Sequence, residues 1–426
     1  MFWIYAGLIK LTGGSIPLLR LAAALVVALG GWGLFLATRR ATLGTAAGVA
    51  AALAYCLMCS LFSYYGLSPN TEIFFNCLTI FAVALAVAPR VAGGKTDPVW
   101  HWPVAGLLLG LAMIIKPFAA AEAGAVGLFL VWFYFSLKDY GRLFGTGLLL
   151  VLGFSLPLVG VFLYYQQLGL LDTLRFYLFD VNGAYPVELA WYLRLKYMGD
   201  FALRFSPFVI LGALSLVRSN HQERREGWVW TRYLLLQFVF VTIVVLITGK
   251  RFGHYQVQLF PALASLAGAY WAVSNDGTIW RRGAGIKNYV PTLLIILSVL
   301  IGVLHFVRYS GKDDQPVRVA SYLRERLPPE ETFFGLSGGQ ITYHLLERNV
   351  PTPYVHSSLL FLDQHIRAFQ IDERKEAQRL LDNPNLTYLF GNATTEDRPA
   401  VVRRLLLDYF SPVDTLAGGI VIYRRD

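Results

Sequence analysis

Apolar residues in this chain run in long unbroken stretches, not in the alternation of half-buried strands. Runs long enough to cross about 30 Å of hydrocarbon fall near residues 15–37, 42–63, 71–89, 101–116, 117–136, 143–165, 201–217, 232–249, 257–274 and 289–308. They predict a polytopic α-helical membrane protein with about ten spans. Several runs are short, so tilt or burial among neighbours is expected. Glycines four apart, Gly44 with Gly48 and Gly106 with Gly110, suit close helix packing. The pattern changes after about residue 308. Pro316–Leu327 has helical spacing, 332–336 reads as a strand and Gln340–Arg348 as a helix. A strand at 386–390, a helix at Arg398–Tyr409 and a closing strand at 419–425 follow. These 118 residues are enough to bury a core of their own. The expected domains are therefore a transmembrane domain, 1–308, and a C-terminal α/β domain, 309–426.

Composition sharpens the class. The chain is 56% hydrophobic, with 10 Trp, 23 Tyr and 29 Phe, which excludes a soluble enzyme and fits interfacial aromatic belts. Residues 309–426 carry 14 Lys/Arg against 16 Asp/Glu, so the net charge of +10 sits wholly in the membrane part. Cations spread over loops are a topology signal and call for no nucleic-acid partner. Arg39/Arg40, Arg90/Lys95, Lys138/Arg142, Arg218/Arg224/Arg225/Arg232 and Arg281/Arg282/Lys287 fall in alternate loops, which are then cytoplasmic. The turn before Glu72, the Lys116–Pro117 junction, loop 166–200, Lys250–Tyr255 and the tail are then extracytoplasmic, on a multi-pass protein of the inner (plasma) membrane. That orientation makes the first run enter from outside, and Met1 reads as a late start. Cys56, Cys59 and Cys77 all lie in or beside apolar runs and read as buried small hydrophobes, in preference to a metal or redox pair.

Candidate chemistry gathers at the outer ends of the spans. In "KRFGHYQVQLFPALASLAGA" (250–269), two cations, a histidine and a tyrosine abut an apolar run. They either snorkel as an interfacial anchor or grip lipid phosphate, for which a guanidinium offers two parallel donors. Glu72 opens a span beside Tyr64 and Tyr65, where it is a snorkelled acid, an acceptor contact or a metal ligand. Lys116 stands before Pro117, as an anchor or as a phosphate ligand. Glu122 lies inside an apolar run and must face a cavity or a partner, for which Lys116 is within reach. Arg20 has a site role or pairs with an acid such as Glu72. Asp172, Asp180, Asn182 and Tyr185 lie in the long outer loop.

Several of these stretches resemble a known family, the integral-membrane glycosyltransferases that use polyprenyl-phosphate sugars. Its members include the family-39 protein mannosyltransferases and the lipid A aminoarabinose transferases. The resemblance rests on "FWIYAGLIKLTGGSIPLLRLAAALV" (2–26), "SPNTEIFF" (68–75), "GLLLGLAMIIKPFA" (106–119) and "LLDTLRFYLFDVNGAY" (170–185). It rests most specifically on "RFGHYQVQLFPALASLAG" (251–268), and the tail stretch 319–354 is similar to the family's extracytoplasmic domain. It implies sugar transfer with inversion from a polyprenyl-phosphate donor, held in membrane lipid, to an extracytoplasmic acceptor. Inversion needs a carboxylate to take the acceptor proton and cations to hold the leaving phosphate. The resemblance implies Lys116, Arg251, His254, Tyr255, Asn182, Tyr185 and Arg20 as substrate-binding residues. It leaves Glu72 as the catalytic acid in view and a divalent metal open. In the family, a first span, an aspartate-bearing loop and a Lys-Pro-Pro lysine precede the point where this sequence begins. The residues as written are therefore expected to lack the principal base and to be inactive alone. A non-catalytic relative that binds lipid-linked sugar is the first alternative. A transporter is the second, against which stands the lack of an internal repeat or paired broken spans.

Overall fold

The computed structural model describes residues 2–42, 44–61, 68–91, 98–184, 189–220, 225–249, 253–272, 284–311, 314–336, 338–392 and 400–426. Tyr64, Tyr65, Tyr185, Lys250 and Arg251 lie outside the described residues. The chain divides into two compact units, 1–168 with 187–310 and 169–186 with 311–426.

The first unit is helical. In chain order it begins with α1 (Phe2–Thr12), α2 (Ile16–Thr42), α3 (Thr45–Cys59), α4 (Thr71–Ala86) with its continuation α5 (Ala88–Val91), and α6 (His101–Ile115). After α6 come a 3₁₀ turn at Pro117–Ala119, α7 (Ala120–Ser136) and α8 (Tyr140–Gln167). The short α9 (Leu171–Arg175) and α10 (Val181–Ala184), joined by one π turn, belong to the second unit. The first unit resumes with α11 (Trp191–Arg204), α12 (Ser206–Asn220) and α13 (Arg225–Thr248). A 3₁₀ segment at Gly253–Leu259, α14 (Phe260–Ala269) and α15 (Ala284–Tyr309) complete it.

The protein is a multi-pass membrane protein. Among the described residues six helices are long and apolar enough to cross a bilayer, or seven if the pair α11 and α12, bent by 88° near Phe205, is one span. The ten runs read from the sequence resolve differently for identifiable reasons. α3 and α6 are only 15 residues each. The run 201–217 straddles the bend, and the run 257–274 opens in the 3₁₀ segment and holds just ten α-helical residues. That last helix is nevertheless the most enclosed, since every residue from Phe260 to Ala269 is buried. Its small residues let α3 approach closely: a Cβ on Gly268 would come within 2.8 Å of the Ala47 carbonyl oxygen. α6 and α8 meet the same way, with Gly106 and Gly110 facing the α8 backbone and Gly153 facing the Pro103 carbonyl. The apolar stretch of α4–α5 is mostly buried, whereas that of α15 is almost wholly exposed, so the former is central and the latter peripheral.

The second unit is an α/β layer structure. Its helices are α16 (Gln315–Arg324), α17 (Ile341–Leu346), α18 (Ser358–Phe361), α19 (Asp363–Ala368), α20 (Glu373–Asp382) and α21 (Val401–Leu407). Its sheet has the order β1-β2-β4-β3, from β1 (Thr332–Gly335), β2 (Leu386–Asn392), β3 (Phe410–Leu416) and β4 (Ile420–Arg425). β1 and β2 are parallel, with Phe334 opposite Leu389; the other pairs are antiparallel. Alternate residues supply two cores. Phe334 and Leu389 pack with Leu380 and Leu406 on one face, Phe333 and Tyr388 with Leu323 and Tyr343 on the other. The three strands and three helices expected of the tail are present. The fourth strand, β3, was not expected, because Pro412 and Asp414 break its pattern. Both are tolerated at a sheet edge where the strand bulges. Gly418 and Gly419, with φ of +89° and +76°, make the turn that returns the chain into β4. The 169–186 segment joins this unit through buried Val181 and a ring contact of 6.2 Å between Tyr177 and Phe369.

Candidate functional site

The helical unit assembles its polar site where α6 stops. Pro117 disfavours helical geometry in the residue before it, and Lys116 is extended at φ −153°, ψ 123°. The chain turns there, and the Lys116 ammonium meets Glu72, in the first turn of α4. Lys116 Nζ donates to Glu72 Oε1, and the Thr71 hydroxyl donates to Oε2 at 2.9 Å. The Glu72 side chain is 1% exposed and that of Lys116 15%. A carboxylate at this position also faces the positive end of the α4 dipole. Two rings enclose the ammonium: it lies 4.0 Å from the Tyr255 centroid and 4.9 Å from that of Phe118. These rings meet edge to face at 5.3 Å, and His254 packs edge-on against Tyr255 at 4.6 Å. A cation between π faces keeps its charge in a largely desolvated place. With one of its three protons given to Glu72, the ammonium retains donors for an incoming anion.

Side chains deeper in the bundle fix the segment that carries Tyr255. Gln258 Nε2 donates to the Phe118 carbonyl at 2.9 Å and to Glu122 Oε2 at 2.7 Å. Asn76, from α4, donates to the Val257 carbonyl at 2.9 Å. The 3₁₀ segment is thereby tied to the Lys116–Pro117 turn and to α4. Glu122 is fully buried, and its Oε1 has no partner among the described residues. On the other flank, Tyr5 of α1 donates to the Pro69 carbonyl and packs its ring against Phe74 at 6.3 Å.

Of the residues named from the sequence, Glu72, Lys116, His254 and Tyr255 come together. Glu122 does not pair with Lys116 as expected, because the turn at Pro117 sends Lys116 toward α4 while Glu122 faces Gln258. Nor does Arg20 pair with Glu72: it is exposed on α2, and Glu72 is occupied by Lys116 and Thr71. Asn182 lies in the second unit, exposed, its amide donating to the Tyr177 and Leu178 carbonyls at 3.1 and 3.0 Å. Asp172 and Asp180 are exposed there too. Arg251 and Tyr185 fall outside the described residues. Tyr5, Asn76 and Gln258 were missed. A polar residue inside the apolar run 71–89 was the available signal for Asn76; Tyr5 carried none. Among the described residues no group of three or more His, Cys, Asp or Glu is arranged to hold a metal. The three cysteines are free thiols, with Cys59 and Cys77 buried.

Comparison with known proteins agrees with this architecture. Residues 1–160 match the profile of the family described as dolichyl-phosphate-mannose-protein mannosyltransferase. ArnT from Cupriavidus metallidurans, solved bound to undecaprenyl phosphate, superposes with a TM-score of 0.66 at 15% identity, over 99% of this chain and 86% of that one. Its apo structure gives 0.67 at 14%, with the same coverage. No curated protein sequence matches. The resemblance read from the sequence therefore holds for the fold, which is shared with the two ArnT structures, and for the family profile over the first 160 residues.

Proposed function

We propose that the protein transfers a sugar, with inversion, from a polyprenyl-phosphate donor to an acceptor outside the cytoplasm. The observation that carries this reading is the meeting of Lys116, Glu72, His254 and Tyr255, drawn from three separated stretches, where α6 ends and α4 begins. The fold likeness to an ArnT structure holding undecaprenyl phosphate supports the donor class. In this reading the protein lies in the inner membrane with about ten membrane-embedded segments. The transmembrane domain falls within 1–308, with the loop 169–186 grouped with the 309–426 domain, which lies on the outer side. The acceptor oxygen attacks the anomeric carbon while the bond to the phosphate oxygen breaks and its electron pair leaves with the phosphate. Lys116 holds that phosphate, with His254 beside it, and Tyr255 and Phe118 exclude water; Arg251 is assigned to the phosphate by the resemblance alone. Glu72 orients Lys116. When the phosphate draws the ammonium away, the freed Oε1 is available for the acceptor proton. Asn182, Tyr185 and Arg20 are assigned to the donor or acceptor by the resemblance alone.

A second reading, binding of lipid-linked sugar without transfer, is favoured by the engagement of both Glu72 oxygens. Titration of the full chain with undecaprenyl phosphate tests the shared donor site. Lys116→Met should weaken binding about 10- to 100-fold, the equivalent of one charge-assisted bond of roughly 1.5–3 kcal/mol, and Lys116→Arg should recover part of it. Unchanged affinity in Lys116→Met refutes both readings. Binding without turnover of any polyprenyl-phosphate sugar selects the second.

A further inference from the structure

At the other end of α4 and α6 lies a cavity. It has a volume of about 950 Å³ and is partly open; Arg39, Arg40 and Trp100 stand at its rim, and Phe81, Leu85 and Leu108 form its walls. α4 runs from Glu72 toward Leu85, 13 residues on, and α6 runs back from Trp100 to Lys116, 16 residues on. At 1.5 Å per residue those paths are roughly 20 and 24 Å, most of the hydrocarbon thickness. The cavity is therefore separate from the Lys116 site and belongs to the opposite leaflet. Its two arginines are in the last turn of α2, and Arg39 lies over the Phe35 ring at 5.7 Å. Trp100 is 55% exposed and flanks His101 edge to face. None of the described residues that line the cavity is acidic.

We propose that this cavity binds an acidic phospholipid, with the headgroup phosphate on Arg39 and Arg40 and the acyl chains along Phe81, Leu85 and Leu108. Three features select that occupant. Paired guanidinium groups match phosphate oxygens and are attracted to an anionic leaflet. Apart from Thr45, the rest of the lining is apolar, from Leu36, Phe81, Ala84, Leu85 and Leu108, and suits acyl chains better than a polar solute. A tryptophan at the rim sits at the depth where indoles anchor to the interface. The bilayer supplies such a lipid laterally, with no aqueous path needed.

The test uses the full chain in a neutral detergent, with phosphatidylglycerol, phosphatidylcholine of the same chains, or inorganic phosphate added. Phosphatidylglycerol should raise the Tm, and the other two should not reproduce the rise. Arg39→Gln with Arg40→Gln should weaken phosphatidylglycerol binding about 10- to 100-fold, the loss of one or two charge-assisted contacts. Ala84→Trp, which fills the wall and keeps both arginines, should abolish the rise as well. Phosphatidylglycerol with brominated chains should quench indole fluorescence in the wild type, and the Trp100→Phe variant should lack that component. Equal shifts with the two lipids, a shift from inorganic phosphate alone, an undiminished rise in either variant, or quenching that survives in Trp100→Phe would each overturn the proposal.

Discussion

Gln258 shows how a single neutral side chain can govern a charged site. Both hydrogens of its amide are used, on Glu122 and on the Phe118 carbonyl, so its loss takes the donor from a fully buried carboxyl and from a half-buried carbonyl. Gln258→Leu should lower stability by about 1–3 kcal/mol and weaken donor binding through displacement of Tyr255. Adding Glu122→Leu removes the orphaned carboxyl and should return most of the stability, while donor binding stays impaired. A double-mutant cycle measures this coupling. Additive losses would mean that the two residues act independently. In the tail, the Ser358 hydroxyl is 2.6 Å from His356 Nδ1. Partial burial, and then the nearby His365, push the His356 pKa below its ordinary value. The fold thus favours the neutral ring. The contribution to stability is neutral well above pH ~6.5, turns unfavourable as pH falls through that value, and is fully unfavourable below the lowered folded pKa. NMR titration of the His356 ring should give a midpoint below that of free histidine, and His365→Gln should raise it. A midpoint at or above the free value would contradict the cause given.

Helix pairs in the bundle are spaced by glycine more than by large side chains. A Cβ on Gly106 would run into the Leu150 carbonyl, and backbone cannot move aside as a flexible side chain can. Gly106→Val should therefore part α6 from α8 and cost at least the ~1–3 kcal/mol typical of overpacking. Gly127 of α7 has open space around its Cβ position. Gly127→Ala should be neutral or slightly stabilising, since it removes only a helix-propensity penalty. Thermal unfolding of the two variants side by side decides the matter, and equal Tm values would deny the packing role of Gly106.

On the scale of the whole molecule, the second unit takes in residues 169–186 from the middle of the chain. The Tyr177–Phe369 contact and buried Val181 are what tie that segment to the α/β layers. Phe369→Ala should raise hydrogen exchange across 171–184 and leave β1 and β2 protected, because those strands lie in a core that Phe369 only borders. Unaltered exchange in the segment would show that other contacts hold it.

Sequence alone determined what depends on local hydropathy and residue type. It identified a membrane protein from its apolar runs and an α/β tail from the change in pattern, and it named Glu72, Lys116, His254 and Tyr255 as candidates from their place at run ends; that they meet was seen only in the structure. Its apolar runs do not report backbone breaks: the bend near Phe205 and the 3₁₀ turn ahead of α14 lie inside runs that read as continuous apolar sequence, whereas the break at Lys116–Pro117 was legible from the proline. It missed β3 because an edge strand can carry Pro412 and Asp414, which a central strand could not. Partners were beyond it. The sequence offered Lys116 to Glu122 and Arg20 to Glu72, and only the direction in which the chain leaves Pro117 gave Glu72 to Lys116 and left Glu122 to Gln258. That choice rests on pairing buried charge across 44 residues of sequence, which no local pattern records.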